Sequence, residues 1–206
     1  MNRRILVLIS VIALLAATAS VAGASPWETE DVFGQGEGGP TVAIDGAMIN
    51  RGTAGVTASV TMPTPEPGSY LYPEGDTASG VAGHPEAFSL WVFLFFNPEA
   101  CAIPGECGPA DLINDPDVVA GAFNAGGRLA AGPTLTISGR VTEQSPTFGG
   151  PNAETISEAL ALGYDIASAD IHVAVAPHGA LAPELLPSQI KTPAGNPSFW
   201  WIAIFK

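Results

Sequence analysis

Two stretches of the chain are apolar at almost every position: "FSLWVFLFFN", Phe88 to Asn97, and "SFWWIAIF", Ser198 to Phe205. A strand built from either has no face left for water, so something must cover both sides. In the second stretch Phe199, Trp201, Ala203 and Phe205 share one face and Trp200, Ile202 and Ile204 the other. That pattern predicts an inner strand rather than a disposable tail, with the Phe88–Asn97 strand as a candidate partner or neighbour. "PTLTISGRVT", Pro133 to Thr142, alternates and reads as a strand with one buried face. "TVAIDGAMI" (Thr41 to Ile49) and "GVTASVTM" (Gly55 to Met62) are two more strands, separated by "NRGTA". Asn50 and Gly52 in that connection suit the positive φ of a tight hairpin, so the two are expected to pair antiparallel. In "DIHVAVA", Asp170 to Ala176, the apolar face is Ile171, Val173 and Val175; Asp170, His172, Ala174 and Ala176 fall on the other.

Two segments read as short helices. After Asp115, "PDVVAGAFNAGG" offers a cap in Asp115, a first-turn proline in Pro116 and a stop in Gly126. "NAETISEALALG" offers Asn152 as cap, Ile156, Ala159 and Leu160 on one face, and Gly163 as stop. Residues 25–40, "SPWETEDVFGQGEGGP", show neither period and read as a flexible, acidic, glycine-rich lead-in. Residues 63–87 form a long loop rich in proline and glycine, a length that in a compact domain goes with function or disorder. Many strands and only two short helices predict a mainly β domain over 41–206, an antiparallel β-sandwich or closed barrel. An outer-membrane barrel is excluded by pattern, because its strands alternate lipid-facing apolar with lumen-facing polar residues. No repeat of solenoid length is present.

The first 24 residues, "MNRRILVLISVIALLAATASVAGA", have a basic start at Arg3 and Arg4, an apolar run and a small-x-small end at Ala22-Gly23-Ala24. This is the layout of a secretory signal peptide. Its removal leaves 206 − 24 = 182 residues, enough for one core-forming domain. It also lowers the seven Lys and Arg to five against twenty Asp and Glu, moving the net charge from −13 to −15. So negative a chain repels phosphates and anionic lipid, which argues against nucleic acid as partner and against stable membrane insertion after cleavage. The expected location is secreted or periplasmic.

Four groups of residues carry chemistry worth weighing. Asp170 and His172 point the same way about 7 Å apart; they are either the wet face of a strand or two ligands of a divalent cation. His178 lies six residues beyond His172, roughly 20 Å along a straight strand, too far to join the same ion. Cys101 and Cys107 enclose "AIPGE", and in an oxidising compartment this reads as a local disulfide. "DLINDPD" gathers Asp111, Asn114, Asp115 and Asp117, oxygen ligands of the kind calcium takes, although helix capping accounts for Asp115 and Asp117 as well. Tyr70, Tyr72, Glu74 and Asp76 in the long loop have the chemistry to hold a sugar or a cation. No nucleophile elbow, phosphate-cradling glycine loop or His-Glu-x-x-His pair occurs, so no reaction is advertised and catalytic residues are unknown.

The succession "LWVFLFFNPEAC…C", then "ADIHVAVAPHG" and "LAPELLPSQI", resembles uncharacterised secreted prokaryotic proteins whose late strand carries a histidine followed by a His-Gly step. Some of these are grouped near the chordin-type CHRD domain, whose His-x-His-Gly step this chain lacks, Ala174 standing two residues after His172. The resemblance implies an extracytoplasmic β domain and supplies no activity. Two functional readings follow: a secreted acidic binding or surface-associated structural module, its ligand an unknown extracellular molecule or surface component; or a metal-dependent extracytoplasmic enzyme using Asp170 and His172.

Overall fold

A computed structural model describes residues 26–36, 38–71, 85–149, 153–193 and 197–206; the leader lies outside them. Among these residues nine strands form: β1 (Glu28–Phe33), β2 (Thr41–Gly52), β3 (Gly55–Pro63), β4 (Glu86–Phe95), β5 (Ala120–Leu129), β6 (Thr134–Thr142), β7 (Thr147–Phe148), β8 (Asp170–Ala180) and β9 (Trp201–Phe205). Two short α-helices, α1 (Pro109–Asn114) and α2 (Ile156–Ala161), join them. The fold is mainly β, a single antiparallel sheet in the order β6-β3-β2-β1-β9-β8-β4-β5-β7, curled into a half-barrel.

The doubly apolar strands sit where their sequences demand. Every residue of β4 is buried, paired to β8 on one side and β5 on the other. β9 lies between β1 and β8, so it is an inner strand whose neighbour on the β4 side is β8 rather than β4 itself. The curl turns one face of the sheet inward, where Val60, Phe88, Leu90, Leu94, Ile137, Val173 and Phe205 contribute to one continuous core. Glycine permits the curl. A Cβ on Gly139 of β6 would lie 1.8 Å from the carbonyl oxygen of Ala125 in β5, so only a residue without one lets the two strands approach so closely.

Three sequence expectations are corrected. Part of the supposed flexible lead-in is β1, which pairs with β2 and β9 and buries Val32. One inward apolar residue among acids was too weak a period to announce a strand held mainly by backbone pairing. The helix expected after Asp115 is instead β5, while the helix falls earlier, at α1. β4 is buried on both faces and needs a ladder partner along both edges, and β5 answers it from Phe95↔Ala120 to Ala87↔Leu129. Its small residues serve packing: a Cβ on Gly121 would meet the Glu154 carbonyl oxygen at 2.3 Å and one on Gly127 the Ile190 side chain at 2.7 Å. The hairpin between β2 and β3 turns at Thr53 and Ala54, with Gly52 opposite Gly55, so positive φ falls at Gly55 rather than at Asn50.

The second expected helix forms as α2, capped three residues later than the sequence suggested. Thr155 Oγ1 accepts the Glu158 N–H at 3.2 Å and Glu158 Oε2 accepts the Thr155 N–H at 2.8 Å, a reciprocal box that satisfies two terminal amides. Gly163, φ +93°, ends it as expected. Asn152 lies outside the described residues. Ile156 and Ala159 of α2, with Ile166, cover one end of the inner core. Beside them Arg51 reaches the Ile166 carbonyl at 3.3 Å, the Ala169 carbonyl, and Glu28 at 2.9 Å. Tyr70 is part of the same core, its ring against Phe88 and Trp201 and its hydroxyl donating to Glu86 Oε2 at 2.7 Å.

Candidate functional site

The outer face of β4, β8 and β9 carries a second, smaller core. Alternation puts Ser89, Trp91, Phe93 and Phe95 of β4 on that side, with Asp170, His172, Ala174, Ala176 and His178 of β8, and Ile202 of β9. Trp200 packs over them, its ring centroid 6.0 Å from Phe93 and 6.2 Å from Trp91, and Phe148 of β7 meets Trp91 edge-on at 5.2 Å. The cover is the segment between β4 and β5. Cys101 and Cys107 are bonded within it, their Cα atoms 5.3 Å apart, and both are buried in this outer core. Asp111 fastens the loop with both oxygens: Oδ1 accepts the Ala102 N–H at 2.9 Å and Oδ2 the Gly108 N–H at 2.7 Å. From the end of the chain, Lys206 Nζ donates to the Gly105 carbonyl at 2.6 Å.

The cover does not close completely. Between it and the strands lies a cleft of about 280 Å³ whose inner surface is Phe93, Phe95, His172, Ala174, Trp200 and Ile202. Cys107, Gly108 and Pro109 form one rim and Gln35, Gly36 and Ser198 the other. The second rim joins the connection between β1 and β2 to the segment before β9. Gly36 donates its N–H to the Trp200 carbonyl at 2.7 Å, and Gln35 Nε2 donates to the Phe199 carbonyl at 3.2 Å. Both residues have positive φ, +51° and +98°, and a Cβ on Gly36 would sit 2.6 Å from the Ser198 carbonyl oxygen. A non-glycine residue held in that region costs on the order of 1 kcal/mol or more, and such strain gathers at functional sites.

His172 is the polar group at the base of the cleft. It is 4% exposed, its ring lies 5.0 Å from that of Phe95, and among the described residues no group hydrogen-bonds its imidazole. Burial, reinforced by the nearby Lys206 charge, lowers its pKa to about 4, so the ring is neutral at ordinary pH. Asp170, two residues back on the same face, is 6% exposed and leaves Oδ2 without a partner. Burial raises its pKa, with the Lys206 and Arg51 charges acting against that rise. Of the two alternatives for these residues, the wet face of a strand is therefore corrected: a covering loop that no local pattern reveals takes them out of water. Among the described residues no third His, Cys, Asp or Glu completes a metal-binding group with them.

A second histidine meets a serine on the same outer face. Ser89 Oγ and His178 Nε2 are 2.6 Å apart, and Trp91 Nε1 donates to the same Oγ at 2.8 Å. The Ser89 oxygen accepts from the indole and has both a second lone pair and its own proton left, so the His178 tautomer sets the direction of the other bond; burial keeps His178 neutral with a pKa of about 4. This resembles a nucleophile and its base. With Ser89 at 0% and His178 at 2% exposure, no substrate reaches it, and the three side chains form a buried polar network.

The other sequence candidates fall elsewhere. Tyr70 is 3% exposed, packs in the inner core and also lines a separate cavity with Thr64, Ser69 and Trp201; Tyr72, Glu74 and Asp76 lie outside the described residues. In the acidic cluster Asp111 holds the disulfide loop, and Asp115 caps the end of α1 while its Oδ1 accepts the Asp117 N–H at 3.0 Å. His178 is separate from His172 along β8, as the spacing required. Sequence reasoning missed the cleft's walls. Phe93, Phe95, Trp200 and Ile202 were legible as the second face of doubly apolar strands, but nothing in the pattern separates a wall from filler, and nothing announced Gln35 or Gly36. Comparisons of the chain with protein families, with curated proteins and with solved structures find no match.

Proposed function

We propose that this chain is an exported, acidic β-rich binding module, and that its contact site is the cleft between the outer face of β4, β8 and β9 and the disulfide loop. One observation carries the reading: a buried imidazole without a hydrogen-bond partner, at the base of an aromatic-walled cleft. The fully buried side-chain atoms without a partner among the described residues belong to Arg51, Thr64, Glu86 and Asp170, so the His172 nitrogens open on the cleft, and an occupant that fails to bond them would leave one unpaired at about 1–3 kcal/mol. An unsatisfied ring that opens on a cleft is the signature of a group kept for something that arrives. Export fits the signal-like start and the Cys101–Cys107 disulfide, and no described helix is long and apolar enough to cross a membrane.

The test is a fragment titration of the disulfide-intact, exported protein followed by ¹H–¹⁵N correlation spectra and Trp200 fluorescence. Shifts clustered at His172, Ala174, Trp200 and Ile202 are expected. A library that perturbs only other surfaces overturns the assignment of the site. Elemental analysis of the same sample addresses the metal-dependent enzyme: a stoichiometric transition metal, lost in the Asp170→Ala/His172→Ala variant, replaces the binding module with that reading. N-terminal sequencing of the exported chain should begin at Ser25.

A further inference from the structure

We infer that the cleft receives an uncharged molecule built on one aromatic ring and carrying a single hydroxyl or N–H group, which donates to the His172 imidazole. This rests on the cleft being the binding site, and it names the class of ligand.

Size sets the first limit. An apolar cavity of about 150 Å³ accepts benzene, so a cleft of about 280 Å³ takes one substituted ring or a small fused pair and not a polymer chain or a sugar oligomer. The walls set the second. Phe93, Phe95 and Trp200 line it together with Ala174 and Ile202, an aromatic and apolar surface that favours a flat apolar partner.

Charge sets the third limit. Asp, Glu, Lys and Arg are all missing from the cleft's described lining. A ligand cation would be drawn to the aromatic faces, but the Lys206 ammonium acts on His172 at close range and stands against it. A ligand anion is attracted by the same Lys206 charge, but it meets a chain of net charge −13 and would be buried with no Lys or Arg in the cleft's described lining. A neutral ring avoids both penalties.

The base of the cleft selects the polar group. A neutral imidazole carries one bare nitrogen and one N–H, and no protein group occupies either. A phenol hydroxyl or an indole N–H completes the bare nitrogen, whereas a ring without a donor leaves it unpaired at the full desolvation cost.

Phenol and indole are the probes, with toluene, cyclohexanol, benzoate and benzylammonium as controls, titrated into the full exported chain by fluorescence and ¹H–¹⁵N spectra. Phenol and indole should bind roughly tenfold or more tighter than each control, the factor expected when one buried hydrogen bond or one desolvated charge decides. The His172→Phe variant should keep its thermal midpoint or gain in it and lose the preference for phenol over toluene, while His172→Gln, which retains an acceptor, should keep part of it. If benzoate or benzylammonium binds as tightly as phenol, the ligand class is wrong although the site stands. If His172→Phe binds phenol as well as the parent does, the imidazole is not the receiving group and the inference falls. If no probe perturbs the residues around His172, this inference falls first, and a wider library that also fails there removes the binding reading with it.

Discussion

The same strands build two cores, and the cores differ in kind. On the inner face of the curled sheet β4, β8 and β9 present Phe88, Leu90, Leu94, Ile171, Val173, Trp201 and Phe205 to a filling drawn from nearly every strand. The polar side chains that border it, Tyr70 with Glu86 and Arg51 with Glu28, bond one another at its margins. On the outer face these strands present Phe93, Phe95 and Trp91 interleaved with Ser89, Asp170, His172 and His178, roofed by a loop rather than by another part of the sheet. The inner core is specified by shape and apolarity alone, and its failures would be failures of folding. The outer core holds neutral histidines, an unpartnered carboxylate oxygen and a gap. The inner core's margins leave Arg51 Nη2 and Glu86 Oε1 unpartnered as well, but the outer face is the one that interleaves polar side chains with its aromatic rings around a cleft, which is where function is expected to reside.

Removing residues 198–206 attacks both cores together, since β9 gives Trp201, Ala203 and Phe205 to one and Trp200 and Ile202 to the other and links β1 to β8. The truncated chain should be insoluble or unfolded, judged by circular dichroism and light scattering. A soluble, cooperatively unfolding product with an unchanged midpoint would falsify the central place given to this strand.

Single truncations on β4 separate the two cores. Phe88→Ala empties a fully enclosed inner position and should cost about 3–5 kcal/mol in urea unfolding. Phe93→Ala removes a ring that already borders the cleft, so less contact is lost and about 1–2 kcal/mol is expected. Equal losses would mean that the outer face is as tightly filled as the inner one.

Acid should act on the outer core selectively. His172 and His178 have pKa values of about 4 in the fold, below the value of about 6.5 for a solvated histidine. Between these values the unfolded chain binds more protons than the folded one, so the stability due to each histidine is complete above pH 6.5 and is lost as pH falls toward 4. The loss is roughly 3 kcal/mol per histidine by pH 4, as an order of magnitude. Asp170, whose pKa is raised, works in the opposite sense and offsets part of this. Urea midpoints at pH 7.0, 5.5 and 4.5, pH values chosen to span about this window, should fall steadily for the parent and less steeply for His172→Phe. Matching slopes in the two proteins would show that His172 is not the buried neutral group described.

A further effect concerns the roof. Opening the short Cys101–Cys107 loop should cost about 2 kcal/mol by the chain-entropy argument, seen as a lower midpoint after reduction, with intact mass showing two thiols only in the reduced sample. Because the loop covers the outer face alone, phenol binding should weaken more than the drop in stability accounts for. Undiminished binding after reduction would place the ligand away from that rim.

How far the chain could be read depended on whether the information was local. The mainly antiparallel β architecture, the strands at Phe88–Asn97 and the C-terminus, the pairing of the two cysteines and the α2 segment up to Gly163 were all legible, because periodicity, doubled apolar faces and cap chemistry act within a few residues. β1 and β5 were not. Their residues carry weak or misleading local preferences, and each is a strand because a neighbour's backbone needed a partner. The meaning of Asp170 and His172 was likewise out of reach: the sequence placed both on one face of a strand, and only the fold decided that a disulfide-pinned loop from beyond β4 covers that face. Composition and period therefore determined what kind of elements form and which faces are apolar. Which polar residues are withdrawn from water, and left there unpaired, was decided by long-range packing that no short stretch of sequence encodes.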